Sequence, residues 1–176
     1  MMSILTRFSN KSRTVGLSLA LIATLSATAP AAPLASLTLR DLDGAEHTLP
    51  RSWSGGGVLI LGFSHDARAG MDQWVEALSL ESRHNWLETP VIGAVPSLVR
   101  PMILAGMRSR YAGDRRGHVT PVFDNAESLT QFVNRHGDIV VLVLNENGEV
   151  LARADGPATT TSATQIQDAM NRSTRE

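Results

Sequence analysis

The sequence predicts an α/β domain, with a central mixed sheet flanked by helices and opened by an N-terminal hairpin. Two observations carry this. Short, continuously apolar stretches alternate with segments whose apolar residues recur at helical spacing, the order expected of a sheet with helices packed on it. Turn signals at both ends, Asp43-Gly44 and Asn145-Glu146-Asn147-Gly148, fold the stretches beside them into hairpins.

From Leu37 to Leu42 apolar and polar residues alternate, and this stretch pairs across Asp43-Gly44 with one ending at Leu49-Pro50. Ser54-Gly55-Gly56-Gly57 interrupts the chain ahead of Val58 to Phe63, an apolar run suited to a strand buried on both faces. Met71, Trp74, Val75 and Leu78 share one helical face, which predicts a helix over 70–82; core packing accounts for Met71 and Trp74 better than cofactor contact. Val91 to Val95 is the second predicted strand. A helix over 97–111 follows, with Pro101 in its first turns and Met102, Ala105 and Met107 marking its face. Val119 to Phe123 predicts a third strand, and Asp124 with Glu127 resembles a capping box opening a helix that buries Leu129, Phe132 and Val133. Ile139 to Leu144 is the most hydrophobic strand, Glu149 to Ala154 returns beside it as an antiparallel edge, and a last helix over 160–170 turns Ile166, Ala169 and Met170 inward.

Arg7, Lys11 and Arg13 precede an apolar run from Val15 to Ala27, and the first acidic residue is Asp41, which is the charge layout of a secretory signal. The run is too short and too broken by Ser and Thr for a comfortable membrane span. Small residues at Ala29 and Ala31 place a cleavage near Ala31. The prediction is therefore a signal peptide over 1–31 and a periplasmic or secreted domain over 32–176, with an uncleaved, membrane-anchoring signal as the alternative. Cleavage removes three of the 16 basic residues and none of the 17 acidic ones, leaving a net charge of −4. Without a basic stripe interleaved with aromatics, nucleic acid is not an expected partner. The chain has no cysteine, which closes every thiol mechanism, while a domain of roughly 145 residues buries a sufficient core without disulfides.

Several segments resemble the thioredoxin-like superfamily, specifically the redoxin branch related to TlpA and peroxiredoxins. Leu39 to Gly44 resembles its opening hairpin, Val58 to Ser64 its central strand, Pro121 to Asn125 its pre-helix strand and Val141 to Val150 its closing hairpin. In that family the redox pair stands where a helix begins after the central strand. The resemblance puts Ala67 and Gly70 at the positions of the lost pair, within Ser64-His65-Asp66-Ala67-Arg68-Ala69-Gly70, and Ile139 at the place of the family's cis-proline. It implies a retained fold without the dithiol centre. A narrower similarity, to the mitochondrial ATP synthase assembly chaperones, runs through Phe63-Ser64, the helix bearing Met71 and Trp74, Gly106-Met107-Arg108, and Asp138 to Gly148 leading into Ala152 to Gly156. Here His65-Asp66 replaces that family's arginine. This similarity implies a non-redox assembly role with a protein partner, such as an envelope or membrane complex.

His65, Asp66 and Arg68 stand at the carboxyl end of the central strand, where open α/β sheets place their ligands. A metal or general-base role needs a further converging ligand, and none is legible, so no metal or cofactor is expected. Two readings stay open: a binding or assembly factor that meets a protein through this former redox loop, or a ligand- or metal-binding protein or non-thiol enzyme that reuses it. Arg108, Arg110, Arg115 and Arg116 beside Tyr111 form the densest positive cluster, suited to an anionic lipid or acidic partner, or to a solvated helix end favoured by the dipole. Trp86, in the polar stretch Arg83-His84-Asn85, is an exposed interface candidate.

Overall fold

A computed structural model describes residues 34, 36–124, 129, 131–132 and 138–173. The predicted signal peptide and most of the helix predicted from Asp124 lie outside these residues. The alternating N-terminal stretch forms strands β1 (Leu37–Arg40) and β2 (Glu46–Leu49), paired antiparallel across a turn in which Gly44 takes φ +96°, a backbone conformation open mainly to glycine. The apolar run after the glycines is β3 (Gly57–Gly62), and it lies inside a four-stranded sheet ordered β4-β3-β5-β6. Strand β4 (Trp86–Pro90) runs parallel to β3, whereas β5 (Ile139–Leu144) and β6 (Val150–Asp155) are antiparallel to their neighbours, so the sheet is mixed as predicted.

Every residue of β5 is buried, because successive side chains point to opposite faces and both faces are covered. Ile139, Val141 and Val143 join Val58 and Ile60 on the face packed by helices α1 (Ala67–Ala77) and α3 (Thr160–Ser173), through Met71, Trp74, Val75, Ile166, Ala169 and Met170. Val140, Leu142 and Leu144 join Leu59 and Leu61 on the other face, under Leu39, Leu49, Trp53, Leu129 and Phe132. The Trp74 indole N–H donates to the Gly156 carbonyl at 2.9 Å and ties α1 to the turn after β6.

Four expectations need correction. The helix predicted over 70–82 starts earlier and ends at Ala77, followed by a 3-10 turn at Leu80–Ser82, because Ser79 takes φ 51° and breaks the helical path. The strand predicted at Val91 to Val95 is instead Trp86–Pro90; Val91 makes only an isolated bridge to Val122, and the chain turns at Gly93, φ +78°. Strand β4 escaped the apolar pattern because it buries Glu88 and Thr89, whose partners, Tyr111, Arg115 and Thr120, come from far along the chain. Val119 to Phe123 gives bridges at Val119 and Val122 in place of a full strand. Trp86 is buried, not exposed: its ring stacks on His118 with centroids 4.3 Å apart, and the polar residues before it lie outside the core.

Candidate functional site

At the carboxyl end of β3 the chain turns through Ser64, His65 and Asp66 into α1. A Cβ on Gly62 would lie 2.1 Å from the Met71 sulfur, so glycine lets the start of α1 close onto the end of the strand. Ala67 and Gly70, the positions assigned to the lost redox pair, are both buried. A Cβ on Gly70 would lie 2.3 Å from Cδ1 of Ile139, which the resemblance puts at the cis-proline place. The branched side chain on β5 thus fills the space above a residue that has none. The cis bond among the described residues is Leu49-Pro50, in the hairpin.

On the other side of the same turn, toward β4, the surface stays open. A cavity of about 500 Å³ lies between the ends of β3 and β4 and helix α2 (Arg100–Arg110). Phe63, Met71, Val91, Ile92 and Tyr111 form its floor and walls. Met102, Ile103, Gly106, Met107 and Arg110, spaced by one, three, one and three residues, form one stripe of α2 facing it. Helix α2 buries none of its residues. It is held by both ends and by partial packing: Arg100 forms a two-pronged pair with Asp124, Arg108 donates from Nε to the Leu42 carbonyl at 2.6 Å, and Leu104 and Met107 rest on Leu42, Tyr111 and Val119.

The predicted site residues sort differently in space than in sequence. His65 and Arg68 line the cavity, while Asp66 is the N-cap of α1, makes no side-chain capping bond and stays outside the lining. The arginine cluster divides. Arg110 faces the cavity and joins His65 and Arg68. Arg108 is bonded to the hairpin, Arg116 donates to the Tyr111 carbonyl at 2.9 Å, and Arg115 reaches buried Glu88 at 2.8 Å and Asp72. Two arginines and a histidine thus stand at the rim of an apolar cavity in place of a four-arginine surface patch.

Behind the rim lies a buried polar network. The Tyr111 hydroxyl donates to Glu88 at 2.7 Å, and the guanidinium carbons of Arg68 and Arg115 lie 5.1 and 5.3 Å from its ring centroid. Burial, then the charge and hydrogen bond of Glu88, push the Tyr111 hydroxyl well above its ordinary range, against the opposing pull of Arg68 and Arg115. Burial alone would lower Arg115, but Glu88 and Asp72 outweigh it and raise it. The network locks the carboxyl end of α2 to β4 and α1. Sequence reasoning did not find the apolar wall, Phe63, Ile103 and Met107; its signal was the Met-rich helical stripe ending on an arginine. Among the described residues no group of three or more His, Asp or Glu is placed to hold a metal ion.

No family model matches the sequence, and no curated protein matches it. Solved structures do match, and the class they define is the thioredoxin-like fold. BsSco, a member of the Sco family of cytochrome c oxidase assembly proteins, aligns with a TM-score of 0.56 at 16% identity, covering 82% of this chain and 95% of its own. A thiol:disulfide interchange protein of the thioredoxin family from Chlorobium tepidum aligns with a TM-score of 0.50 at 15% identity over 83% and 97%. The exposed lipoprotein thioredoxin from Streptococcus pneumoniae aligns with a TM-score of 0.51 at 12% identity over 76% and 98%. At such identities the likeness establishes the fold alone. The chain is thus a thioredoxin-like domain without cysteine.

Proposed function

We propose that this chain is an exported, non-thiol binding factor that assists assembly of an envelope protein by holding it at the cavity between α1, β4 and α2. The observation that carries this is the contrast at one helix start: Gly70, which the resemblance puts at a redox-pair position, is covered by Ile139, while the adjoining cavity is open, apolar and rimmed by His65, Arg68 and Arg110. Export is supported by the order of charged, apolar and small residues in the first 31 positions. It accords with a structural relative described as an exposed lipoprotein. The assembly role draws on the resemblance to ATP synthase assembly chaperones and on the relative from a family of cytochrome c oxidase assembly proteins.

The test places a photo-reactive amino acid at Met107 in the wall, or at exposed Gln165 on α3, in cells producing the full chain. A discrete envelope-protein adduct from position 107 and none from position 165 is expected, together with an amino terminus starting near Ala32. Identical adducts from both positions, an intact Met1 in the cytosol, or purified protein carrying a bound metal or small molecule would overturn the reading.

A further inference from the structure

The apolar lining of the cavity extends onto the exposed face of α2. Met102, which lines it, is 70% exposed, and Leu98, one turn earlier, is 92% exposed. A small molecule enclosed in the cavity would leave both side chains in water, whereas a polypeptide lying along α2 would cover them. Of the four methionines among the described residues, Met71, Met102 and Met107 line the cavity. Flexible thioether side chains make a wall that adapts to varied apolar side chains.

Charge narrows the occupant further. Among the described residues neither His65 nor Arg110 has a side-chain partner. Arg68 is 3.8 Å from Asp72, whose other oxygen is taken by Arg115. Arg68 and Arg110 at the rim select against basic segments and for acidic ones.

We propose that the groove takes an amphipathic peptide segment whose apolar side chains lie against Met71, Met102 and Met107 and whose flanking carboxylates face His65, Arg68 and Arg110. This rests on the groove being the contact face. It adds the chemistry of what that face accepts. The mode is that of an apolar segment laid in a groove, with charge fixing its register.

The probe is a random peptide library selected on the immobilised full-length protein, with enriched peptides mapped by amide shifts. Enriched peptides should combine leucine, phenylalanine or methionine with Asp or Glu and should perturb α2 and the loop at His65. Arg110→Glu should weaken them about tenfold or more, a change of about 1.4 kcal/mol, and should favour versions with Lys in place of Glu. Added salt should weaken the wild-type pairing. Peptides that map to the groove without acidic residues would overturn the charge selection and leave the groove as contact face. Peptides that map elsewhere would overturn both readings. Decanoate shifting the groove with no peptide enriched would replace the peptide by a small amphiphile and overturn the proposal.

Discussion

On the β5 side of the α1 start, Cδ1 of Ile139 occupies the space a side chain on Gly70 would need; on the β4 side, a Cβ on Gly106 would meet nothing within 4 Å, and a cavity of about 500 Å³ remains. Both sides draw on the same turn after β3, so the difference comes from what is packed opposite it. Strand β5 is buried along its whole length and brings a rigid branched side chain over the helix. Helix α2 buries no residue fully and is held by its two ends and by Leu104 and Met107 against Leu42, Tyr111 and Val119. One helix start is thus closed on the β5 side and open on the β4 side within a single strand order.

The strand that does the closing should be the most sensitive part of the molecule. Leu142 is fully buried at the centre of β5, so Leu142→Ala should cost about 2–5 kcal/mol in denaturant unfolding. A loss below about 0.5 kcal/mol, the scale of surface changes, would break the contrast between a packed β5 side and a loose α2 side.

Next comes the closure itself. Gly70→Cys should crowd Ile139 and cost about 1–3 kcal/mol through overpacking. Ile139→Ala opens the space, at its own cost, so in the double variant the Gly70→Cys penalty should shrink. A cycle of single and double variants reads this directly, and strict additivity would show that Ile139 does not cover Gly70.

The polar network between the two sides has its own signature. Tyr111 is the chain's single tyrosine, so its alkaline absorbance titration reports one phenol. Because the folded-state value is raised, the unfolded chain loses this proton near pH 10 while the folded one keeps it. Stability should therefore be unaffected below about pH 10 and fall as pH rises above it, by at most about 1.4 kcal/mol per pH unit. Tyr111→Phe should flatten that limb. Phenolate absorbance rising at the usual pH in the folded protein would place Tyr111 in water and dissolve the lock on α2.

How much of this was legible depends on where each residue finds its partners. Strand β5 could be read directly because all six of its residues are apolar. Strand β4 could not: Glu88 and Thr89 look like surface residues until Tyr111, Arg115 and Thr120 arrive from more than twenty residues away. The arginines from 108 to 116 read as one patch in sequence. The end of α2 and the 3-10 turn at Gly113–His118 then send Arg108, Arg115 and Arg116 to separate structural partners, leaving Arg110 with His65 and Arg68. The loop was legible as a candidate site. The apolar wall was not, because a helix with no buried residue still shows the spacing of a core helix.

The smallest expected effect addresses that helix. Gly106 sits inside α2, faces the cavity and has open space around the position of a Cβ, so packing does not require glycine there. Glycine within a helix costs backbone entropy, and Gly106→Ala should stabilise the protein by about 0.5–1 kcal/mol. Gly106→Leu should keep most of that gain, because leucine suits the helix and its Cβ has open space, but its side chain should enter the groove. Thermal unfolding and recovery of the crosslinked partner then separate the two roles of the position. Both variants should melt at or above the wild-type temperature, with partner recovery kept by Gly106→Ala and reduced by Gly106→Leu. A destabilised Gly106→Ala would mean that α2 packs closer to β4 than the cavity allows, and the contrast between a closed and an open side would fail at its open end.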